Sequence, residues 1–159
     1  MKQLFFLICV VVAIEPAQLD FLTSGSYTLS PKQWPSWHVV MGSDRNGVLH
    51  GRMEKVDKTG NFIFERVGDG LPFFYMKSLK WKSWYVYMTN TDEGRIESVE
   101  SLPGEEGQWK ITSVSGGFFT FSPRKWPHWY MCMKNDYIGT MVGCKYEAGD
   151  RGRFTLSRY

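Results

Sequence analysis

Cysteine and histidine are scarce in this chain of 159 residues, at three each. His38, His50 and His128 show no ligand-like spacing, so a zinc site is not expected and no cofactor is implied. There is no G-x-S-x-G elbow, no phosphate-cradling P-loop and no dinucleotide fingerprint, and an enzyme is not expected. N-glycosylation is not expected either, because no N-x-S/T sequon occurs. Charge of one sign is also lacking: 19 Lys and Arg stand against 16 Asp and Glu, a net +3. That balance does not resemble a nucleic-acid binder, whose bases cluster on one face. Nor is it the acidity of a bulk calcium or mineral binder. The longest apolar run, Leu4 to Ile14, falls short of the ~20 residues that span a membrane.

That run is informative for another reason. It follows the short basic opening Met1-Lys2-Gln3, as the core of a secretory signal peptide does. Residues 1–17 are therefore expected to be a leader, cleaved after Ala13 or Ala17. Residues 18–159 are expected to form a single secreted, extracellular domain. The leader carries one base, Lys2, and one acid, Glu15, so its loss leaves the charge balance unchanged. What the mature chain has in excess is aromatics: 16% of the sequence, with seven Trp. Such residues bring large buried areas and also make binding platforms.

Six of the seven belong to one motif that occurs three times. Trp34-Pro35-Ser36-Trp37 returns as Trp81-Lys82-Ser83-Trp84 and again as Trp126-Pro127-His128-Trp129. Repeats at a fixed period of this size decide the fold before any local reading does. Each copy runs into a strand-like segment and then reaches a glycine, at Gly47, Gly94 and Gly139. A second glycine follows at Gly60, Gly107 and Gly152, then an aromatic at Phe62, Trp109 and Phe154, then Phe64, Ile111 and Leu156. Ahead of each motif stand Tyr27 with Leu29, Phe74 with Met76, and Phe119 with Phe121. Register holds inside each unit, and the length change falls between units, where Val67–Pro72 is longer than Ser115–Gly117. The units span approximately residues 24–72, 73–117 and 118–159.

Within a unit the alternation has period two, with Gly, Asn, Asp and Pro between the segments, which predicts four short strands. The first unit shows them around Tyr27–Leu29, Trp37–Met41, Val48–Arg52 and Phe62–Arg66. Hairpins are expected over Gly42–Gly47, Thr89–Gly94 and Lys134–Gly139, the closing glycine supplying a positive φ. Helix content is expected to be near nil. An all-β chain of three four-stranded units resembles a β-trefoil, the architecture of ricin-type lectins, fascins and interleukin-1. The resemblance is to the fold rather than to one family. The ricin-type Q-x-W signature is not met, since the tripeptides read Lys32-Gln33-Trp34, Leu79-Lys80-Trp81 and Arg124-Lys125-Trp126. The fold implies a barrel built from the first and fourth strands of each unit, filled by Phe62, Phe64, Trp109, Ile111, Phe154 and Leu156. Hairpins would close one end, with Trp37, Val39, Trp84, Val86, Trp129 and Met131 on their underside.

The second Trp of each motif is in phase with the buried side of its strand and reads as core. The first, beside Pro35, Lys82 or Pro127, either plugs the barrel base or lies against a ligand. On the ligand reading Trp34, Trp81 and Trp126 border three pseudo-equivalent shallow sites, with Lys32, Lys80 and Lys125 reaching polar ligand groups. On the outward side of the same strands the pattern places His38 and Val40, Tyr85 and Tyr87, and Tyr130 and Cys132. Cys132 and Cys144 flank the third hairpin turn and are expected to pair across its outer surface as a disulfide, which a secretory route permits. Asp44 and Asp136 read as turn-formers, and Glu105 with Glu106 as a solvated pair. The expected role is lectin-like binding of glycans or a glycopolymer. A structural part of an extracellular matrix is the alternative, with a cytokine-like or inhibitory trefoil behind it.

Overall fold

A strand such as Phe62–Arg66 owes its place to its pattern: Phe62 and Phe64 point inward and are sealed, while Glu65 between them and Arg66 faces water. The same alternation recurs along the chain. The computed structural model describes residues 16–159 apart from 44–46 and 69. The expected leader up to residue 15, with the Ala13 cleavage point, and Asp44 lie outside the described residues. The strands are β1 (Ser26–Pro31), β2 (His38–Met41), β3 (Leu49–Arg52) and β4 (Phe62–Arg66) in the first unit. The second has β5 (Phe74–Ser78), β6 (Tyr85–Met88), β7 (Ile96–Val99) and β8 (Gln108–Val114). The third has β9 (Phe118–Pro123), β10 (Trp129–Met133), β11 (Met141–Lys145) and β12 (Phe154–Arg158).

First and fourth strands close a ring of antiparallel pairs. β1 pairs with β4, β4 with β5, β5 with β8, β8 with β9, β9 with β12, and β12 with β1. Closure leaves the ring without a free edge. β2 with β3, β6 with β7 and β10 with β11 form the three hairpins. Inside the barrel Phe64 stacks on Phe121 with ring centres 6.1 Å apart, and Phe121 meets Phe154 edge-on at 5.9 Å. Trp109 is fully buried, and its indole N–H donates to the Val86 carbonyl at 2.9 Å, tying barrel to cap. Leu156, expected inside, is only partly buried, as is Phe119. Phe119 meets the exposed Phe21 at 6.2 Å, at the edge of the packing.

The recurring second glycine has a steric cause. A Cβ on Gly60, Gly107 or Gly152 would lie 3.1, 3.2 or 2.8 Å from the carbonyl oxygen of Val39, Val86 or Met131. Only glycine lets the chain pass so close to the second strand of its unit. That passage also corrects the outward faces. The turn at Lys58–Gly60 packs against β2, and Val40 is buried. Cys132 and Cys144 do form a disulfide, Cα to Cα 6.0 Å, but it is buried rather than on the outer surface. Gly152 and the Ala148 carbonyl close over Cys132. The two cysteines sit on a diagonal, because Cys132 opposes Val142 and Tyr130 opposes Cys144.

Helical structure among the described residues is three 3₁₀ segments, Pro16–Ser24, Lys58–Gly60 and Glu105–Gly107. The first drops Leu22 into the core and is held by the Tyr27 hydroxyl donating to the Phe21 carbonyl at 2.7 Å and by an Asp20–Arg66 ion pair. Asp57 caps the second by accepting from the Thr59 N–H at 2.8 Å. No helix among the described residues is long and apolar enough to cross a membrane.

Candidate functional site: three clefts at the unit junctions

Each double-Trp motif is folded by its own backbone. The N–H of Trp37, Trp84 and Trp129 donates to the carbonyl of Trp34, Trp81 and Trp126 at 2.9, 2.9 and 3.0 Å. Trp34 and Trp126 donate in turn to Pro31 and Pro123, at 3.1 and 3.2 Å, and Trp81 to the Ser78 hydroxyl at 3.2 Å. Successive tight turns therefore hold the two indoles of a motif in fixed relation. All six are partly buried and pack against the core cluster. The second Trp of each pair was expected to be core, and it lies on the core without being sealed in it. One edge of each of these indoles rests on a hairpin turn from another unit.

The turns involved follow a cycle. A Cβ built on Gly139 would lie 3.1 Å from Cζ3 of Trp37, one on Gly47 would lie 3.2 Å from Trp84, and one on Gly94 would lie 3.1 Å from Trp129. Each unit's second Trp thus seats on the turn glycine of the unit before it, the first unit seating on the third. These glycines have φ of 62, 53 and 56°, the left-handed region that side chains disfavour. The third strands dock the same way. Gly51 N–H donates to the Gly139 carbonyl at 2.9 Å and Gly143 N–H to Glu93 at 2.9 Å, while the Ser98 hydroxyl reaches the Gly47 carbonyl at 2.8 Å.

Shallow clefts open along these seams. The first, about 230 Å³, has Trp34 and Trp37 on one wall and Met133 to Asp136 with Gly139 on the other. The second, about 320 Å³, sets Trp81 and Trp84 against Met41 to Ser43 and Gly47. The third, about 660 Å³, is wider and displaced: Trp129 lines it with Asp92 and Glu93, but Trp126 does not. So Trp34 and Trp81 line clefts together with their strand-borne partners. Turn residues such as Ser43, Asn135 and Glu93 were not anticipated as site residues, since in sequence they belong to a neighbouring unit.

Lys32, Lys80 and Lys125, expected to reach ligand groups, line none of the three clefts and have partners inside the chain. Lys32 pairs with Asp150 at 3.0 Å, and its ammonium lies 5.5 Å from the Phe118 ring. Lys80 and Lys125 sit 4.7 and 5.0 Å above the rings of Trp81 and Trp126. Lys125 also pairs with Glu106 at 3.6 Å, and Arg124 with Glu105 at 3.1 Å, so the acids read as merely solvated join two units. Burial alone would raise the Glu106 carboxyl, but hydrogen bonds from its own and the Gly104 backbone N–H and the Lys125 charge hold it below the usual value. Asp136 is the turn-former it was read as. Burial would raise it too, yet N–H groups of Thr140 at 2.9 Å and Ile138 at 3.3 Å hold it low. Among the described residues no three His, Cys, Asp or Glu side chains converge as metal ligands.

No protein-family profile matches the chain. Among curated proteins it is similar to Toxin CfTX-B of Chironex fleckeri, 36% identical over 53 residues, which is 33% of this chain and 11% of the toxin. Among solved structures, the designed threefold-symmetric protein ThreeFoil superposes with a TM-score of 0.74 at 12% identity, over 85% of this chain and 99% of its own. A ricin B-like lectin of Macrolepiota procera, solved in complex with lactose, superposes with a TM-score of 0.70 at 16% identity, over 86% and 97%. Together with the closed six-stranded ring and three hairpins, these likenesses define the class. The chain is a β-trefoil, and no particular family within that fold is marked out.

Proposed function

We propose that this protein is a secreted, non-catalytic carbohydrate-binding module, lectin-like, acting on extracellular glycans or a glycopolymer. The observation that carries the proposal is the repeated pairing of partly buried indoles with the hairpin turn of a neighbouring unit at each seam. Aromatic faces hold the apolar side of a sugar ring, and turn backbone and side chains fix its hydroxyls. The likeness to a lectin solved with lactose supports the reading at the level of fold. Clefts this shallow bind weakly one at a time, and three on one rigid domain gain avidity for a repetitive polymer.

Intrinsic fluorescence during titration with candidate polysaccharides tests it, in the parent and in Trp34→Ala, Trp81→Ala and Trp126→Ala. Trp34→Ala and Trp81→Ala each lower apparent affinity with the fold retained, and Trp126→Ala does so least, because its indole stands outside the third cleft. Indifference of the emission to every glycan and chitin-like polymer, in a folded parent, removes the reading and leaves a structural matrix role.

A further inference from the structure

The three clefts share a plan, and their described walls differ in charge. The described wall of the second carries no charged side chain, and the first has one cation and one acid, Lys134 and Asp136. The third gathers Lys134, Lys145 and Arg151 against Asp92 and Glu93. Glu93 is taken up by Lys134 at 3.0 Å. Among the described residues Lys145 and Arg151 face no carboxylate partner. The Lys145 ammonium lies 4.7 Å from the centre of the Trp129 ring, and one arm of the Arg151 guanidinium donates to Cys144 Sγ at 3.4 Å. Two cations without an acid partner, beside one further acid, therefore flank an indole in the widest of the three clefts.

A second observation falls at the same rim. Tyr146, next to Lys145, has φ 68° and is the one non-glycine residue with positive φ among those described. It is 78% exposed, so packing of its ring does not account for the conformation. Its N–H donates to the His128 carbonyl at 2.7 Å, and Glu147 N–H donates to the Lys145 carbonyl at 2.8 Å. Left-handed backbone at a bulky residue is unfavourable and gathers where geometry serves a site. Here it fixes the strand end that carries Lys145.

The geometry points to the third cleft as a subsite for an anionic sugar, with the ring against Trp129 and a sulfate or carboxylate between Lys145 and Arg151. It rests on the carbohydrate-binding reading above and narrows its ligand class. A guanidinium fork matches either oxyanion. The lysine, on a flexible stem, swings from the indole face to the anion as the sugar takes its place. Asp92 works against the anion and sets a ceiling on its affinity.

The test is calorimetry on the full chain with matched neutral, sulfated and uronate-bearing galactose and N-acetylglucosamine oligosaccharides, and with inorganic sulfate alone. The expected result is binding of an anionic member about tenfold tighter than its neutral match, weakened by salt. The double variant Lys145→Gln/Arg151→Gln abolishes that preference, while neutral oligosaccharides still bind through the first and second clefts, which neither residue lines. Asp92→Asn, of opposite sign, widens it. All three positions are at the surface, and thermal melts confirm that the fold survives. Whichever of the sulfated and uronate arms binds more tightly identifies the source of the anion. Equal affinity for neutral and anionic members, or a preference that survives the double variant, overturns the inference while the carbohydrate reading stands. Sulfate binding through the same two residues with no saccharide bound overturns both, as does the absence of any binding.

Discussion

In the barrel, equivalent positions hold Phe62, Trp109 and Phe154, and all three are fully buried. One layer on, Phe64, Ile111 and Leu156 differ in volume, the first two buried and Leu156 only partly so. In the cap, equivalent positions hold Trp37, Trp84 and Trp129, identical in every unit and yet only half-buried. Interior sites ask for apolar volume and tolerate exchange when the sum is kept. A position that must span from the core to a neighbouring turn asks for one shape. Within this chain, then, sameness among the copies marks the seam between units more strongly than it marks the centre of the core.

The widest gap between the two regions is expected from Trp109→Ala. It removes a sealed indole and its bond to Val86, and about 3–5 kcal/mol of stability goes with it, read as a lowered denaturant midpoint. Gly139→Ala comes next. Its φ of 62° is left-handed, and the added Cβ would meet Met133 Sδ at 3.0 Å and Trp37 at 3.1 Å. Strain and overpacking together cost about 2–4 kcal/mol. Gly68→Ala isolates the backbone part, since φ is 64° there and nothing lies within 4 Å, and about 1–2 kcal/mol is expected. Equal losses at the two glycines would mean that the turn's seat on Trp37 contributes nothing.

Trp37→Ala, Trp84→Ala and Trp129→Ala should each cost about 2 kcal/mol, roughly half of a sealed-indole deletion. Denaturant curves that place them level with Trp109→Ala would erase the contrast between cap and barrel. The smallest effect is at Asp136. Its carboxyl is held below the ordinary value by the turn N–H groups. Its stabilisation is therefore complete above the ordinary carboxylate pKa and is lost as pH falls through the lower folded-state value. Asp136→Ala should cost about 1 kcal/mol near neutrality and flatten the acid limb of the stability curve below about pH 4.

The architecture is legible in the sequence because the repeats keep register. Gly60, Gly107 and Gly152 mark the close passes, and the aromatics after them mark the barrel strands. Period-two reading fails at Val40 and Cys132 because it assigns one face of a strand to water, and here a following loop covers that face as well. Of the first indoles singled out as border residues, Trp34 and Trp81 line clefts and Trp126 does not. The opposite walls could not be singled out, since Asp136 or Ser43 reaches the cleft only once the units close into a ring, and spacing along one chain does not say which neighbour a turn will meet. The lysines show a similar limit. Their proximity to Trp was visible, and their partners Asp150 and Glu106 lie in loops of other units.

The seating of each indole on the preceding turn is a head-to-tail contact, of the kind that separate subunits use to build rings or filaments. Here the rotation closes after three steps, because Trp37 finds Gly139 and β1 finds β12. A fragment of two units would keep one such joint and present an unseated indole at one end and an unoccupied turn at the other. Three copies of a single idealised unit would satisfy every joint with no ends left over. The protein thus carries the geometry of a cyclic trimer inside one polypeptide, where covalent linkage fixes the stoichiometry and frees each subunit surface to take on its own charge.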